Sequence, residues 1–186
     1  DGQKLLLQVP DSLIGREFLA VSRVAKTALG YGYGGTKTNT QVLRWDRQGK
    51  SLLLRSVSYS TVAADSLPIF QAVADSRFEP VVARMDIEAL GSDSMSVVVD
   101  ATDIFVGDTP IFGLPQRVRE QFKVRRLDGG RSFLARANAY PENVEVRAVL
   151  TYVAGEPPSN ASTGTVSLEM AHSMILLPEE PMRSRR

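Results

Sequence analysis

The chain has 186 residues, of which 43% are hydrophobic and 23% charged, a composition typical of folded globular proteins that excludes wholesale disorder. Its 22 basic and 21 acidic side chains leave a formal charge of +1, so no overall field recruits nucleic acid or an anionic membrane. The absence of Cys excludes disulfides, thiolate metal sites and Cys nucleophiles, and the one His excludes a multi-histidine metal site.

The ends of the chain are those expected of a piece of a longer protein. The sequence enters a strand-like run at Lys4–Val9 almost at once and lacks the basic region and apolar core of a signal peptide. It ends in Arg183–Arg186 after a proline-rich stretch. No apolar run reaches the roughly 18 residues of a membrane span. We therefore expect residues 1–186 to form a single β-rich domain of a longer chain, without a membrane span.

A stretch rich in glycine and tyrosine is the first candidate site. Residues 30–35 read Gly-Tyr-Gly-Tyr-Gly-Gly and formally match the G-x-G-x-x-G pattern. That pattern holds a pyrophosphate at the start of a helix, whereas Thr36–Thr40 leads here into a strand-like segment, which argues against a dinucleotide site. The stretch instead predicts a mobile loop that contacts a neighbouring domain or ligand. The residues of this predicted interaction loop are Tyr31, Tyr33, Gly34, Gly35 and Asn39.

Alternation of apolar and polar side chains with a period of two residues dominates the remaining sequence, as in half-buried strands. It is clearest in the last two runs, Asn143–Val153 and Thr165–Leu177. Three further pairs of runs flank short turn sequences and predict β-hairpins. These pairs are Gln41–Arg47 with Ser51–Tyr59, Val81–Ile87 with Met95–Ala101, and Phe122–Arg126 with Ser132–Ala139.

Helical signals are few. Asp65 and Pro68 supply a capping residue and an early proline for a short helix that ends near Asp75, and a second short helix is predicted at Leu114–Glu120. Neither follows the βαβ rhythm of a parallel sheet. We predict an all-β or β-rich α+β fold, in which antiparallel hairpins of about nine or ten strands form a sandwich, saddle or open barrel with one or two short helices.

The single histidine invites a catalytic or metal-binding interpretation. Glu169 precedes His172 by three residues, and on a strand this odd spacing places the two on opposite faces, so they do not share a metal ion. The parity of His172 with Met170 and Met174 predicts a half-buried structural histidine. A Ser-His-Asp triad is available in composition only, because no G-x-S-x-G motif accompanies the histidine.

Two clusters of charged residues have simple structural interpretations. The acids Asp100, Asp103 and Asp108 do not match the spacing of an EF-hand, so we expect them at strand ends and turns. A local basic run has little aromatic company, which favours an exposed strand face over a nucleic-acid site. Its members are Arg117, Arg119, Lys123, Arg125 and Arg126.

Many separated segments, taken in order, resemble one family. They are Gly15–Glu17, Ser22–Thr27, Gly32–Gly35, Asn39–Trp45, Leu54–Tyr59, Asp65–Ile69, Tyr140–Arg147, Pro157–Asn160, Ser167–Met170 and Met174–Pro178. Together they resemble the uncharacterised N-terminal region, a domain of unknown function, of large bacterial zinc-dependent metalloproteases of the gluzincin type. The resemblance implies that a catalytic domain follows, in which an H-E-x-x-H helix binds zinc through two His and activates water through its Glu.

This chain contains no H-E-x-x-H, so none of the family's zinc ligands or catalytic residues is carried onto it. The resemblance therefore implies no catalytic residue, metal ligand or cofactor in this chain, with zinc in the catalytic domain of the parent protein. It also implies that domain and a peptide substrate as partners, no nucleic acid, and export to the bacterial periplasm or cell surface.

Two functions of different classes remain open at this stage. The first is an accessory domain that packs on the catalytic domain and shapes substrate access, with Gly30–Thr40 as an edge loop. The alternative is an independent peptide- or glycan-binding β module that uses Tyr31 and Tyr33 as an aromatic platform. A stand-alone hydrolase with His172 as its base is a third interpretation.

Overall fold

The computed structural model describes residues 4–59, 67–92, 94–158 and 163–180. Of these residues 51% lie in strands, which form a curled half-barrel sheet with three short helices. The predicted β-rich antiparallel architecture is therefore confirmed. The strands are β1 (Leu6–Pro10), β2 (Glu17–Lys26), β3 (Lys37–Gln48), β4 (Ser51–Val57), β5 (Val81–Leu90), β6 (Ser96–Asp100), β7 (Val124–Leu127), β8 (Phe133–Ala139), β9 (Asn143–Ala154) and β10 (Thr165–Leu176).

The strands pair in the order β1-β6-β5-β4-β3-β2-β10-β9-β7, with β8 also on β9, and each of these pairings is antiparallel. Strand β10, the last of the described strands, lies inside the sheet between β2 and β9. Its register places His172 opposite Ser22 of β2 and Val146 of β9. Residues distant in sequence therefore meet on these adjacent strands.

Two of the three predicted hairpins are confirmed. Strands β3 and β4 join at a tight turn in which Gly49 has a φ of +60°, a left-handed conformation that favours glycine. Strands β5 and β6 pair as predicted, and the amide of Gly91 donates to the carbonyl of Ser96. Strand β6 begins at Ser96, so Met95 precedes it and is exposed.

The third predicted hairpin is wrong. Strands β7 and β8 do not pair with each other but follow one another along the same edge of β9. A 3₁₀ turn at Gly129–Arg131 separates them, and the Ser132 hydroxyl bridges it by donating to the Asp128 carbonyl and accepting from the Thr151 amide. The glycines of this segment therefore produce a step along the edge rather than a reversal of the chain.

The three helices are short. Helix α1 (Phe70–Asp75) confirms the first predicted helix and follows Pro68, although Asp65 lies outside the described residues. Helix α3 (Gln116–Gln121) confirms the second. Helix α2 (Thr102–Val106) was not predicted, since five residues are too few to show a helical period. No helix in the described ranges is long and apolar enough to cross a membrane.

Residues 101–122, which include α2 and α3 and which we call the inner segment, supply apolar side chains to both core clusters. Ile104, Phe105 and Phe112 pack in one cluster, and Leu114, Val118 and Phe122 in the other. We call the sheet face against which they pack the inner face. It contributes Leu43, Trp45, Leu52, Leu54 and Met174 to the first cluster, and Val24, Leu150, Tyr152, Leu168 and Met170 to the second.

Candidate functional site

The predicted interaction loop divides between the core and the surface. Tyr31 is buried and contacts Phe122 edge-on, with 6.1 Å between ring centroids, and burial raises the pKa of its hydroxyl. Tyr33 is 84% exposed. The two rings therefore do not form a common aromatic platform, although Tyr33 remains available for contact. Strand β3 begins at Lys37, so no helix start follows the glycines, as the sequence analysis expected.

The other residues of the loop have close backbone neighbours. A Cβ at Gly34 would lie 3.0 Å from the Ala25 carbonyl oxygen, so a larger residue would crowd β2. Gly35 has a φ of +90°, and its amide donates to the Val24 carbonyl over 2.7 Å. Asn39 donates from Nδ2 to the Ile111 carbonyl over 3.3 Å and so ties β3 to the inner segment.

His172 lies fully buried on the inner face, as its parity predicted, although the sequence analysis expected only half burial. Its ring packs against Phe105 and Phe112, with centroids 5.7 and 5.1 Å away. Its Nδ1 lies 3.0 Å from the Ser22 hydroxyl oxygen. Because that hydroxyl donates to the Ile111 carbonyl, it accepts from Nδ1, and the imidazole Nε2 is an acceptor.

Burial lowers the pKa of His172 to about 4, so the ring is neutral near pH 7. Its Nε2 atom is buried, with no hydrogen-bond partner among the described residues. The Ser22–His172 pair resembles a nucleophile with its base, but both side chains are at most 1% exposed. The structure thus gives a substrate no route to this pair.

The three acids singled out in the sequence do not converge on one site. Asp100 accepts hydrogen bonds from the amide and hydroxyl of Thr102, which lower the pKa of its carboxyl group. Asp108 pairs instead with Arg119. In the described part of the chain, no group of three or more His, Asp or Glu residues is placed to hold a metal ion. The residues therefore do not fit a zinc site.

The basic run is only partly the exposed strand face that was predicted. Arg125 and Arg126 are exposed on β7, but Arg119 is on α3 and largely buried. Its guanidinium binds Asp108, donates to the Leu114 carbonyl over 2.9 Å and lies 5.3 Å from the centre of the Tyr152 ring. For Arg119 the prediction was wrong, because a helix turns the side chain toward a buried ring and a carboxylate.

Tyr152 completes the polar anchors of the inner segment. Its hydroxyl oxygen accepts from the Leu114 amide over 3.3 Å, and burial, together with the Asp108 carboxylate, raises the pKa of Tyr152 to about 12. Ser22 and Asn39 both donate to the Ile111 carbonyl, three residues before Leu114 in the connection between α2 and α3. The inner segment is thus held by specific hydrogen bonds as well as by apolar packing.

An apolar pocket opens where β1, an edge strand of the sheet, approaches the turn between β8 and β9. Leu7 and Val9 of β1 line it together with Tyr140, Val144 and Met174, and its empty volume of about 610 Å³ includes space open to solvent. The turn itself is closed by a hydrogen bond from the Tyr140 amide to the Asn143 carbonyl over 2.8 Å. The first part of the Tyr140–Arg147 motif, Tyr140–Val144, therefore forms one wall of this pocket.

A second groove lies on the outer face of the sheet, opposite the inner segment, and the sequence analysis missed it. We call it the arginine–phenylalanine groove; it has about 1030 Å³ of empty volume, including space open to solvent. In β3 and β4, Arg44 and Arg55 alternate with core residues and so project outward. Its principal lining residues are Arg44, Arg55, Phe70, Arg77, Phe78 and Glu79.

The groove is assembled by long-range ion pairs between β3, β4 and the segment that precedes β5. Arg44 pairs with Glu79, and Arg55 donates from Nε to Asp46 over 2.8 Å and from Nη1 to the Glu79 carbonyl over 3.0 Å. The Arg55 guanidinium also lies 5.2 Å from the centre of the Phe78 ring. The sequence did contain a signal for this surface. The segment from Leu67 to Phe78 has more large apolar residues than a six-residue helix can bury, so some of them must be exposed.

Comparison with known proteins gives one match. Neither the curated proteins nor the solved structures contain a significantly similar chain. The family model described as a domain of unknown function, DUF5117, matches residues 35–186, which is most of the chain. The chain therefore belongs to the DUF5117 family of domains.

Proposed function

We propose that this chain is a non-catalytic accessory domain of a bacterial zinc-dependent metallopeptidase of the gluzincin type. In this proposal it packs on the catalytic domain and shapes access of peptide substrates, while zinc is bound in the catalytic domain alone. The resemblance of segments such as Asn39–Trp45 and Tyr140–Arg147 to that family supports the class of parent enzyme. The same resemblance supports export to the periplasm or cell surface.

The structural observation that carries the accessory role is a short segment rich in exposed apolar side chains, two of which, Phe70 and Phe78, line the groove on the outer face. Leu67, Ile69, Phe70 and Phe78 are all exposed, and Phe78 reaches 80%. Four such residues within twelve positions are unusual for a surface that only meets water, and contiguous exposed apolar patches commonly mark contact sites. We therefore place the contact with the catalytic domain on residues 67–80.

Hydrogen exchange in the parent protein tests this role. The reading frame after Arg186 should encode an H-E-x-x-H helix, and the longer protein should protect amides of residues 67–80 that exchange rapidly in the 186-residue chain. Amides of the inner segment should exchange alike in both proteins, which provides the internal control. A parent without H-E-x-x-H, or equal exchange of residues 67–80 in both proteins, would contradict the proposal.

The alternative, an independent peptide- or glycan-binding module, is supported by the exposure of Tyr33 at the tip of its loop. Exposed aromatic side chains offer a flat apolar surface to sugars and peptides. Because Tyr31 belongs to the core, the informative variant is Tyr33→Ala, with Tyr140→Ala as a control at another exposed tyrosine. Binding from a glycan and peptide panel that disappears only in Tyr33→Ala would favour this function, and an empty panel would reject it.

A further inference from the structure

The geometry points to the arginine–phenylalanine groove as a binding site for an acidic segment of a partner polypeptide, in which Asp or Glu stands beside a bulky apolar residue. Because Phe70 and Phe78 line this groove, the inference deepens the contact proposed on residues 67–80 and rests on that part of the proposed function, although not on the identity of the parent enzyme. It rests on the balance of charge in the groove, on its exposed aromatic rings and on the fixed positions of its guanidinium groups.

The charge of the groove is unbalanced in favour of cations. Arg44 and Arg55 each have a carboxylate partner, Glu79 and Asp46 respectively. Arg77 has none among the described residues, and its Nη2 donates to the Ser58 carbonyl instead. A guanidinium carries five N–H donors, so these three side chains hold more donors than their acceptors among the described residues use. A ligand carboxylate would complete this set.

The aromatic rings in the groove lack apolar neighbours that would shield them from water. Phe78 and Phe70 expose most or much of their rings beside the guanidinium groups. Contact of either ring with an apolar side chain of the ligand would add roughly 25 cal/mol of binding free energy per Å² of apolar surface removed from water. A ligand that combines a carboxylate with a bulky apolar group would therefore accept from the guanidinium groups and also cover the exposed rings.

The groove is also pre-organised, which lowers the entropic cost of binding. The Arg55 side chain is only 14% exposed and is fixed by Asp46, by the Glu79 carbonyl and by the Phe78 ring. A backbone hydrogen bond of 3.0 Å from the Ser56 amide to the Pro80 carbonyl holds this segment to β4. The ligand would thus meet donors that are already in position.

Other classes of ligand match these features less well. A basic segment would meet Arg77, which has no carboxylate partner among the described residues. A purely apolar segment would cover guanidinium donors and leave them without acceptors, which is costly. A nucleic acid needs several basic contacts spaced along its backbone, whereas the described residues that line this groove are three arginines, two carboxylates and apolar residues, a net charge of +1.

The test uses a fluorescein-labelled peptide Gly-Ser-Phe-Glu-Asp-Leu-Gly-Ser and the full 186-residue chain, with binding measured by fluorescence anisotropy. We expect saturable binding at least about tenfold tighter than that of the matched peptide with Gln and Asn, because a charge-assisted hydrogen bond is lost in the latter. Affinity should fall as salt rises from about 0.05 to about 0.5 M, because the charges lie near the surface.

Variants locate the site. Arg77→Gln should weaken the acidic peptide about tenfold, since it removes the cation without a carboxylate partner. Phe78→Ala should weaken both peptides by severalfold. Arg125→Gln, at an exposed arginine on the edge strand β7, four strands away from β3, is the matched control and should leave the affinity for both peptides unchanged. If the denaturation curves of the variants overlay the curve of the unsubstituted chain, unfolding is excluded as the cause of weaker binding.

Four results would overturn the inference. One is the absence of saturable binding of the acidic peptide. Another is equal affinity for the acidic and neutral peptides, which would indicate a nonspecific apolar surface. The third is binding that Arg77→Gln and Arg125→Gln affect alike, and the fourth is tighter binding of a single-stranded oligonucleotide. None of these results bears on the presence of H-E-x-x-H in the parent, so this inference and the proposed function fail separately.

Discussion

Two non-strand segments lie on opposite faces of the same sheet and differ sharply in burial. In the inner segment, residues 101–122, Phe112 is 1% exposed; in the outer segment, residues 67–80, Phe78 is 80% exposed. Burying a Phe side chain stabilises a fold by about 1.5–3 kcal/mol, so the inner segment contributes to folding. In the outer segment the same kind of apolar surface stays exposed to water and does not stabilise the fold. The inner face therefore contributes to stability, and the outer face is the surface on which we propose contact with a partner.

The largest expected difference between the two faces is in the free energy of unfolding. Phe112→Ala should lower it by about 3–5 kcal/mol, because it leaves a cavity beside Phe105 and His172. Phe78→Ala, the matched variant on the outer face, should change it by less than about 0.5 kcal/mol. Urea denaturation of the two variants measures both values. Comparable losses would break the distinction between the faces.

Acid should weaken the inner face through His172. Its pKa of about 4 in the folded chain is below the ordinary value of about 6.5, so the unfolded chain takes up a proton first as the pH falls. Stability from this residue is complete above about pH 6.5 and declines toward pH 4, by up to about 3 kcal/mol.

The variant His172→Gln isolates this effect, because carboxylates such as Asp100 titrate in both proteins. Between pH 7 and 4.5, urea denaturation should show a larger loss of unfolding free energy for the unsubstituted 186-residue chain than for the variant. Equal losses would contradict this expectation. An NMR titration that places the pKa of His172 near its ordinary value would contradict it directly.

Removal of one carboxylate from each face should sharpen the comparison further. Asp108→Asn leaves the largely buried Arg119 with a weaker acceptor and should cost about 1–2 kcal/mol of unfolding free energy. Asp46→Asn weakens a single hydrogen bond from Arg55, whereas Asp108 binds Arg119 through two, so this variant should cost less than about 1 kcal/mol. Parallel thermal and urea denaturation gives both numbers. The reverse ranking would show that the outer pairs are the stronger anchors.

The smallest expected effect is a gain in stability where the inner segment ends. Lys123 has a φ of +47°, a left-handed conformation that costs a non-glycine residue about 1 kcal/mol. Lys123→Gly should therefore stabilise the chain by about 0.5 kcal/mol, after loss of the exposed ion pair with Glu156. Arg125→Gly, in strand β7, should destabilise it by a similar amount. A loss in both variants would rule out strain at Lys123.

Local patterns in the sequence were sufficient for much of the fold. The period of two identified β9 and β10 and placed His172 on the buried face, because strand alternation depends only on neighbouring residues. Turn residues such as Gly49 and Gly91 located two hairpins for the same reason. The Asp128–Gly130 turn failed as a guide, since the same residues suit a reversal or a step along an edge.

Features that depend on distant residues were beyond these patterns. Nothing near Tyr31 in the sequence indicates that Phe122 buries it, and nothing near Arg44 indicates that Glu79 is its partner. The candidate groove is assembled wholly from such contacts, so alternation alone could not reveal it. His172 is an intermediate case. Alternation predicted the face on which it lies, but its complete burial depends on packing against Phe105 and Phe112, which are distant in sequence.

The most direct test of a role in contact rather than catalysis is the metal content and peptidase activity of the purified 186-residue chain after incubation with zinc and dialysis. We expect far less than one zinc per chain by mass spectrometry and no cleavage of a fluorogenic peptide library. One tightly bound zinc together with cleavage that His172→Ala abolishes would contradict this account.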